Sequence, residues 1–266
     1  MPSPLLRRIS RELRKLKRDT PGQTALAVLR YPDTLRKRAA YRRMLELDDT
    51  EARFRAIYKG GLWHSRESGS GQGSEKRYTE TLRGWLPAVV KRHNIRSILD
   101  GACGDFNWMR LVLPELDVDY SGFDIDRPTI ERNISRYGSD RIHFAAANIC
   151  RDPLPSCDLL IVRDCLFHLS TEDIGRFLEN AAQTEYRLLL TSTHTVDEGF
   201  KNTDIQSGDF RILDLFSPPF NFPKSAVIDR VKDFPEGYPI ERDMILLKKA
   251  DVPVTLGSGP SGPSAA

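Results

Sequence analysis

The sequence predicts an α/β protein with a mostly parallel sheet, helices on both faces, an antiparallel strand near its C-terminus and a basic helical extension at its N-terminus. From Ile95 onward, short apolar runs alternate with helical patterns, as in doubly wound sheets. The first 43 residues hold thirteen Lys and Arg against three acids, a net charge of +10. Because the whole chain carries +3, the remainder carries −7.

The elements follow from hydrophobic periodicity and capping residues. The predicted strands are Ile95–Leu99, Val118–Phe123, Arg141–Ala146, Asp158–Val162, Arg187–Thr193, Phe210–Phe216 and Met244–Lys248. Helices are predicted near Asn107–Leu113, Arg127–Tyr137 and Thr171–Ala182, the last with Ser170 as its N-cap. A further helix precedes the first strand, and Pro87 within it should kink or split it.

Three segments are predicted: a basic helical extension over residues 1–53, a sheet domain over 54–250 and a flexible tail over 251–266. In the extension, apolar residues recur at spacings of three and four, at Leu5, Leu6, Ile9, Leu13 and Leu16. This face either packs on the sheet domain, or residues 5–43 bind an anionic membrane surface or RNA. The sequence does not indicate an oligomeric state.

Composition excludes several classes of protein. No run approaches the ~18 apolar residues that cross a bilayer, and the arginine-rich start leaves no room for a signal-peptide core. The four cysteines lack Cys-x-x-Cys spacing, and no cluster has metal-ligand spacing, so we expect no metal site. Reduced thiols indicate a cytoplasmic protein.

The residues that follow the first two strands indicate a nucleoside-containing cofactor. Small residues after Asp100 permit a tight turn close to a ligand, and Asp124, 24 residues further on, can accept both hydroxyls of a ribose. The turn lacks the Gly-x-Gly-x-x-Gly pattern that binds a pyrophosphate. S-adenosylmethionine has no phosphate, and its ammonium group favours an acid such as Asp100.

The segment Ser97–Asp105 resembles motif I of class I S-adenosylmethionine-dependent methyltransferases, and Ser121–Ile125 resembles their second motif. Further segments resemble a bacterial subfamily of largely unassigned substrate; these are Gly60–Ser74, Cys103–Met109, Arg163–Ser170 and Pro218–Pro223. The resemblance covers roughly Phe54 to Lys248 and implies a Rossmann-like sheet that binds S-adenosyl-L-methionine.

The cofactor residues implied by the resemblance and by strand position are Asp100, Gly101, Ala102, Cys103, Gly104, Phe106, Asp124, Ile125, Asn148, Ile149 and Arg163. Three positions depart from the family pattern. Ala102 and Phe106 stand where the motif has glycine, and Asn148 stands where an acid often binds the adenine amino group. The Asn148 carbonyl oxygen can still accept that hydrogen bond.

Asp164 and His168 are the candidate catalytic residues, because they follow the fourth strand and share a face if the segment is helical. The alternative is that Arg163 and Asp164 form a structural pair while His168 packs under the next helix. His194, at the end of the fifth strand, and His64 are further base candidates. His93 and His143 are interpreted as surface or strand residues.

The Gly- and Ser-rich loop Gly60–Ser74 is expected to cover the cofactor as a lid, with a disordered connector as the alternative. Ser217–Phe220 is interpreted as a rigid proline turn on the acceptor side. The resulting hypothesis is O-methylation of a small polar acceptor such as a sugar, glycolipid or secondary metabolite. The alternatives are an RNA methyltransferase that uses the basic extension, and a non-catalytic cofactor-binding protein that docks through it.

Overall fold

The computed structural model of the protein describes residues 36–236, 238 and 240–257. The chain divides into two compact units, Met1–Arg43 and Met44–Ala266. In the smaller unit the described residues, 36–43, are helical. The apolar pattern predicted between Leu5 and Leu16 lies outside the described residues, as do the last nine residues of the predicted tail.

The larger unit is built on a seven-stranded sheet with the order β3-β2-β1-β4-β5-β7-β6. The strands are β1 Ser97–Asp100, β2 Asp119–Asp124, β3 Ile142–Ala146, β4 Cys157–Val162, β5 Tyr186–His194, β6 Val227–Lys232 and β7 Arg242–Lys248. Strands β1 to β5 pair in parallel, whereas β7 runs antiparallel to both β5 and β6. The predicted mixed sheet is therefore confirmed.

Five α-helices of the described region surround the sheet, together with short 3-10 turns: α1 Thr50–Gly60, α2 Glu80–Arg92, α3 Met109–Val112, α4 Arg127–Tyr137 and α5 Thr171–Gln183. Asp49, Asp126 and Ser170 cap α1, α4 and α5 by accepting backbone N–H groups with their side chains. The Ser170 cap is the predicted one. In the described residues no helix combines the length and apolar character that a membrane crossing requires.

The core lies along the central strands. In β4, Leu159 through Val162 are fully buried on both faces, as expected where helices cover both sides of a parallel sheet. Helix α2 contributes Leu82, Leu86 and Val89. It continues through Pro87 from Glu80 to Arg92, so the expected split is wrong. Burial of this apolar face stabilises the helix against the loss of one backbone hydrogen bond.

The predicted strand Phe210–Phe216 is also wrong, because these residues are irregular. Leu213 and Leu215 are fully buried, which accounts for the apolar pattern. Their N–H groups bond to side chains at the end of β5, to His194 Nδ1 at 3.1 Å and to Thr193 Oγ1 at 3.1 Å. Strand β6, a half-exposed edge strand that the sequence analysis missed, takes the sheet position instead.

The helix predicted at Asn107–Leu113 is shorter than expected. It spans Met109–Val112 and passes into a 3-10 turn, Leu113–Glu115, that contains Pro114. Proline has no N–H group and restricts the residue before it, which limits the α-helical turn here.

Candidate active site

A cavity opens at the carboxyl ends of β1, β2 and β4. Ligands bind at this edge of open α/β sheets, where the strand order reverses. Residues of α1 and of the loop that follows it form the opposite wall. The lining residues are Thr50, Phe54, Tyr58, Trp63, Ser70, Ser74, Gly101, Ala102, Gly104, Asp124, Ile125, Ala147, Asn148, Ile149, Cys150, Arg163, Asp164, Cys165, His168 and Leu169.

The turn after β1 is fixed by bonds to both neighbouring strands. Gly101 N–H donates to Ile161 O at 2.8 Å, and Cys103 N–H donates to Phe123 O at 2.9 Å. Gly104 has a φ of +58°. A Cβ atom there would overlap the Ser70 hydroxyl, so this position requires glycine. The turn therefore brings its backbone directly to the cavity.

Asp124 ends β2 and faces this turn. Its Oδ2 accepts from Gly104 N at 3.0 Å and from the Tyr58 hydroxyl at 3.2 Å, and its Oδ1 accepts from Asp126 N at 2.9 Å. Burial raises the pKa of Asp124 to about 6, although the three N–H and O–H donors act in the opposite direction. At neutral pH the cavity thus holds a buried carboxylate.

Asp100 lies beneath the turn and is not among the cavity-lining residues. It is 1% exposed, and its Oδ2 accepts from the Tyr120 hydroxyl at 3.0 Å. Burial raises the pKa of Asp100 to about 7, against the hydrogen bonds of Tyr120 and of the Ala102 backbone. Cys103 and Phe106 are buried beside it and do not line the cavity either. Phe106 stands at a position where the family motif has glycine, and its ring packs edge-on against Phe144.

On the other side of Asp124, the cavity is lined by Ile125, Asn148, Ile149 and Cys150. The Asn148 side-chain oxygen accepts from Cys150 N at 2.9 Å, which orients the amide. A carbonyl oxygen has a second lone pair, so it can accept another hydrogen bond. The structure thus places eight of the eleven predicted cofactor residues, Arg163 among them, at one cavity.

Asp164 follows β4 with a φ of +53° and precedes a 3-10 turn, Leu166–His168, so the segment does not form the α-helix that would align Asp164 with His168. Its Oδ2 lies 3.3 Å from Arg163 Nη1 and 2.7 Å from Arg242 Nη2. Burial acts to raise the pKa of Asp164, but the two guanidinium groups outweigh it and hold the pKa below its usual value. A carboxylate paired in this way is a poor proton acceptor.

Asp233 completes a buried cluster of charges that the sequence analysis missed. Its carboxylate accepts two hydrogen bonds from Arg163, at 2.8 Å and 3.2 Å, and lies 3.3 Å from Arg242. Arg163 also donates to Gly73 O at 2.7 Å, which links the cluster to the loop before the sheet. Asp233 and Arg242 lie at the facing ends of β6 and β7, where only the antiparallel pairing brings them together.

His168 lines the cavity beside Asp164. Its Nδ1 lies 2.8 Å from Asp209 O, and because a carbonyl oxygen only accepts, Nδ1 carries the proton. In the neutral ring, Nε2 is then the acceptor. Burial lowers the pKa of His168, although the Asp209 carbonyl and the Asp164 charge act in the opposite direction. A neutral imidazole with a defined tautomer therefore faces the site.

The other histidines are placed differently. His194 is 4% exposed, its Nδ1 accepts from Leu213 N–H, and it does not line the cavity. Burial lowers the pKa of His194 to about 4. His64 is exposed and also lies outside the lining. His93 follows α2, and His143 lies in β3. His168 is thus the one imidazole among the described residues that lines this cavity.

The loop of residues 65–74 is held over the turn by Asp105. The Asp105 carboxylate accepts from Ser68 Oγ at 2.9 Å, from Gly69 N at 2.7 Å and from Ser70 Oγ at 3.2 Å, and its own N–H donates to Ser70 Oγ at 2.8 Å. Asn107 adds a bond from its side chain to Ser74 O at 2.9 Å. The loop is therefore an ordered wall of the cavity in this conformation.

The proline turn lies outside the lining. The Pro218–Pro219 peptide is cis, and the Ser217 hydroxyl donates to Asp214 Oδ2 at 2.6 Å. Phe220 is fully buried, and the Arg211 guanidinium lies 5.6 Å from its ring centre. Within the described part of the chain, no group of three or more His, Cys, Asp or Glu side chains has the arrangement of a metal site.

No family model and no curated protein matches the sequence. Solved structures do match. The mitomycin 7-O-methyltransferase MmcR is 16% identical, with a TM-score of 0.52, and the match covers 78% of this chain and 60% of that one. The 1,6-didemethyltoxoflavin-N1-methyltransferase of Burkholderia thailandensis, solved with 1,6-didemethyltoxoflavin and S-adenosylhomocysteine, is 15% identical, with a TM-score of 0.53 and coverages of 75% and 86%.

The chain has the class I S-adenosylmethionine-dependent methyltransferase fold. This confirms the fold that Ser97–Asp105 and Ser121–Ile125 predicted. The chain spans 60% of the length of the mitomycin methyltransferase. In this methyltransferase fold, α1 and the loop of residues 65–74 form the wall of the cavity that faces the strand ends.

Proposed function

We propose that this protein is an S-adenosylmethionine-dependent methyltransferase that methylates a hydroxyl of a small polar acceptor, such as a sugar, glycolipid or secondary metabolite. One observation carries the proposal. Asp124 and the Gly101–Gly104 turn, at the carboxyl ends of adjacent strands, line a single cavity on the methyltransferase fold. The bound S-adenosylhomocysteine of the toxoflavin methyltransferase supports the choice of cofactor.

The residues present fit this cofactor. Asp124 is a buried carboxylate that can exchange its Tyr58 hydrogen bond for ribose hydroxyls, and Gly104 lets the backbone approach closely because it has no Cβ atom. Ile125, Asn148 and Ile149 provide apolar contact and an acceptor for an adenine ring. Asp100 lies beneath the turn with a pKa that burial raises to about 7, and the ammonium group of the cofactor would favour its ionised form. When bound, S-adenosylmethionine supplies an electrophilic methyl group.

His168 is the proposed general base. Its Nε2 takes the proton of the acceptor hydroxyl, and its Nδ1–H remains bonded to Asp209 O, which stabilises the resulting imidazolium. A positioned general base contributes typically ~10²–10⁴-fold in rate. The cavity walls add a second large factor in rate by aligning the acceptor hydroxyl with the methyl group. Asp164, held by Arg163 and Arg242, orients the end of β4 and adds negative charge near the imidazolium.

Calorimetry with S-adenosylmethionine tests the cofactor proposal. We expect saturable binding to the wild-type protein and loss of binding in Asp124→Ala. The matched control is Asp119→Asn, at the other end of the same strand, where the side chain is exposed and pairs with Arg141. Tight binding of NAD in place of S-adenosylmethionine would refute the proposal.

A screen with radiolabelled methyl groups against metabolite, lipid and RNA fractions tests the acceptor class. We expect label in the metabolite or lipid fraction and its loss in His168→Gln. If the label enters RNA instead, and removal of residues 1–43 abolishes that transfer with a strong salt dependence, the RNA alternative holds. The complete absence of transfer from any fraction would favour a cofactor-binding protein without catalysis.

A further inference from the structure

We propose that the acceptor is an uncharged, flat aromatic compound that stacks against Trp63 and presents a ring hydroxyl to Nε2 of His168. This inference rests on the proposed function and narrows its acceptor from small polar molecules in general to phenol-type hydroxyls. Trp63 is then the residue that determines acceptor specificity. Neither the sheet nor the cofactor motifs contain it, because it lies in the segment between α1 and the loop of residues 65–74.

The wall next to the proposed base is aromatic. The Trp63 ring centre lies 5.5 Å from that of His168, 5.1 Å from Tyr58 and 6.2 Å from Phe54. Trp63, Tyr58 and Phe54 all line the cavity, and Leu169 extends the apolar surface on the His168 side. Aromatic rings prefer offset or edge-to-face contacts with other rings at these separations. A flat aromatic ligand finds such partners on this wall.

The charged groups at this end of the cavity neutralise one another. Two arginines, Arg163 and Arg242, and two carboxylates, Asp164 and Asp233, form one buried cluster in which each charge has a partner of opposite sign. Arg163 and Asp164 are the two members of this cluster that line the cavity, and both are already paired. A charged acceptor would therefore lose water without finding a free charge of opposite sign, which is costly for a buried group. The cluster therefore favours an uncharged acceptor.

The same wall offers little to the many hydroxyls of a sugar. The Ser70 hydroxyl is already engaged by Asp105 and by the Asp105 N–H group. Sugar hydroxyls placed against Trp63, Phe54 and Leu169 would lose their water without gaining a hydrogen-bond partner, which is unfavourable. A single hydroxyl on an apolar ring avoids this cost.

The acidity of the acceptor hydroxyl also favours a phenol. Burial lowers the pKa of His168, which makes it a weaker base than a free imidazole. A phenolic hydroxyl has a pKa of about 10, whereas alkyl hydroxyls are much weaker acids. Transfer of the proton from oxygen to Nε2, as the oxygen forms its bond to the methyl carbon and the carbon–sulfur bond breaks, is therefore less uphill for a phenol. The products are the aryl methyl ether, S-adenosylhomocysteine and a proton on His168.

The test uses 2-naphthol and methyl β-D-glucopyranoside as probes with the full-length protein. We expect 2-naphthol to bind the protein in the presence of S-adenosylhomocysteine and to be methylated from S-adenosylmethionine. Trp63→Ala should weaken 2-naphthol binding by about tenfold or more, whereas Trp63→Phe should retain most of it. His168→Gln should lower kcat with 2-naphthol by ~10²-fold or more and change its KM little.

The affinity for S-adenosylhomocysteine, measured on each variant, shows whether the variant is folded. Preferential binding or methylation of the glucoside would overturn the inference, as would a protein that binds S-adenosylmethionine but neither binds nor methylates 2-naphthol. An equal loss of affinity for 2-naphthol in Trp63→Phe and Trp63→Ala would also overturn the inference. Failure to bind S-adenosylmethionine at all would instead overturn the proposed function, so the two failures are distinguishable.

Discussion

The Tyr58 hydroxyl donates a hydrogen bond to Asp124 Oδ2 at 3.2 Å, across the cavity from the end of β2 to α1. Asp124 Oδ2 also accepts a hydrogen bond from Gly104 N, and Asp124 Oδ1 accepts one from Asp126 N. Tyr58 also lies 3.4 Å from the Ser70 hydroxyl. A single side chain thus connects the helix before the sheet, the ordered loop and the carboxylate proposed to bind ribose.

Because Tyr58 occupies an acceptor position that ribose hydroxyls need, Tyr58→Phe should bind S-adenosylhomocysteine more tightly than the wild type. A net hydrogen bond of about 0.5–1.5 kcal/mol sets an upper limit of roughly tenfold in Kd. The measurement is calorimetry at pH 8, where Asp124, with a pKa of about 6, is ionised in both proteins. Weaker binding in Tyr58→Phe would show that the hydroxyl contacts the cofactor instead of competing with it.

Asp100 gives a prediction on stability and pH. Burial raises its pKa to about 7 from an ordinary value of 3.8, so the folded protein binds more protons than the unfolded chain between these values. Its contribution to stability is therefore fully present below about pH 4 and is lost as the pH rises through about 7. Asp100→Asn, which retains an oxygen acceptor for Tyr120, should not show this loss.

Thermal melts from pH 5 to pH 8 measure the difference between Asp100→Asn and the wild type. We expect the variant to gain stability relative to the wild type as the pH rises, by an amount on the order of a few kcal/mol. Its affinity for S-adenosylmethionine should fall. Asp119→Asn, which removes an exposed carboxylate of the same sheet, should show no such trend. A constant difference across the pH range would contradict the prediction.

Two glycines give a matched pair of substitutions. A Cβ atom on Gly73 would overlap the Asp164 carboxylate, whereas Gly84, exposed in α2, has open space around it. Gly73→Ala should therefore displace the loop from the buried charges and lower the melting temperature. Gly84→Ala should stabilise the protein by about 0.5–1 kcal/mol, because alanine favours helix. Equal melting temperatures for the two variants would show that the loop adjusts freely.

The sequence predicted the cavity residues that follow the strands better than the residues that contact them from other elements. Asp124 and Gly104 follow apolar strands at a recognisable spacing, so the cavity could be located before the structure. Trp63 belongs to the loop Gly60–Ser74 that was expected to cover the cofactor, and it lines the cavity. Tyr58 lies before that loop, and nothing local indicates that its hydroxyl contacts Asp124, 66 positions further on. The contact between Asp233 and Arg242 depends on the antiparallel pairing of β6 and β7. The sequence analysis did not predict β6, because the apolar run that begins at Phe210 was interpreted as the strand instead.

Asp105 gives the last prediction, on the order of the loop. Its carboxylate accepts from Ser68, Gly69 and Ser70, and an amide in its place has one acceptor oxygen and one donor nitrogen. Asp105→Asn should therefore leave the Gly69 N–H or a serine hydroxyl without its partner, at a local cost of about 1–3 kcal/mol.

That cost should appear as faster hydrogen exchange at the Gly69 and Asp105 amides and as faster trypsin cleavage after exposed Arg66, by roughly tenfold or more. Asp117→Asn, at the opposite edge of the sheet with its side chain 76% exposed, is the control and should leave both rates unchanged. Unchanged exchange in Asp105→Asn would mean that Asn107 and Arg163, which bond to Ser74 O and Gly73 O, hold the loop without the carboxylate.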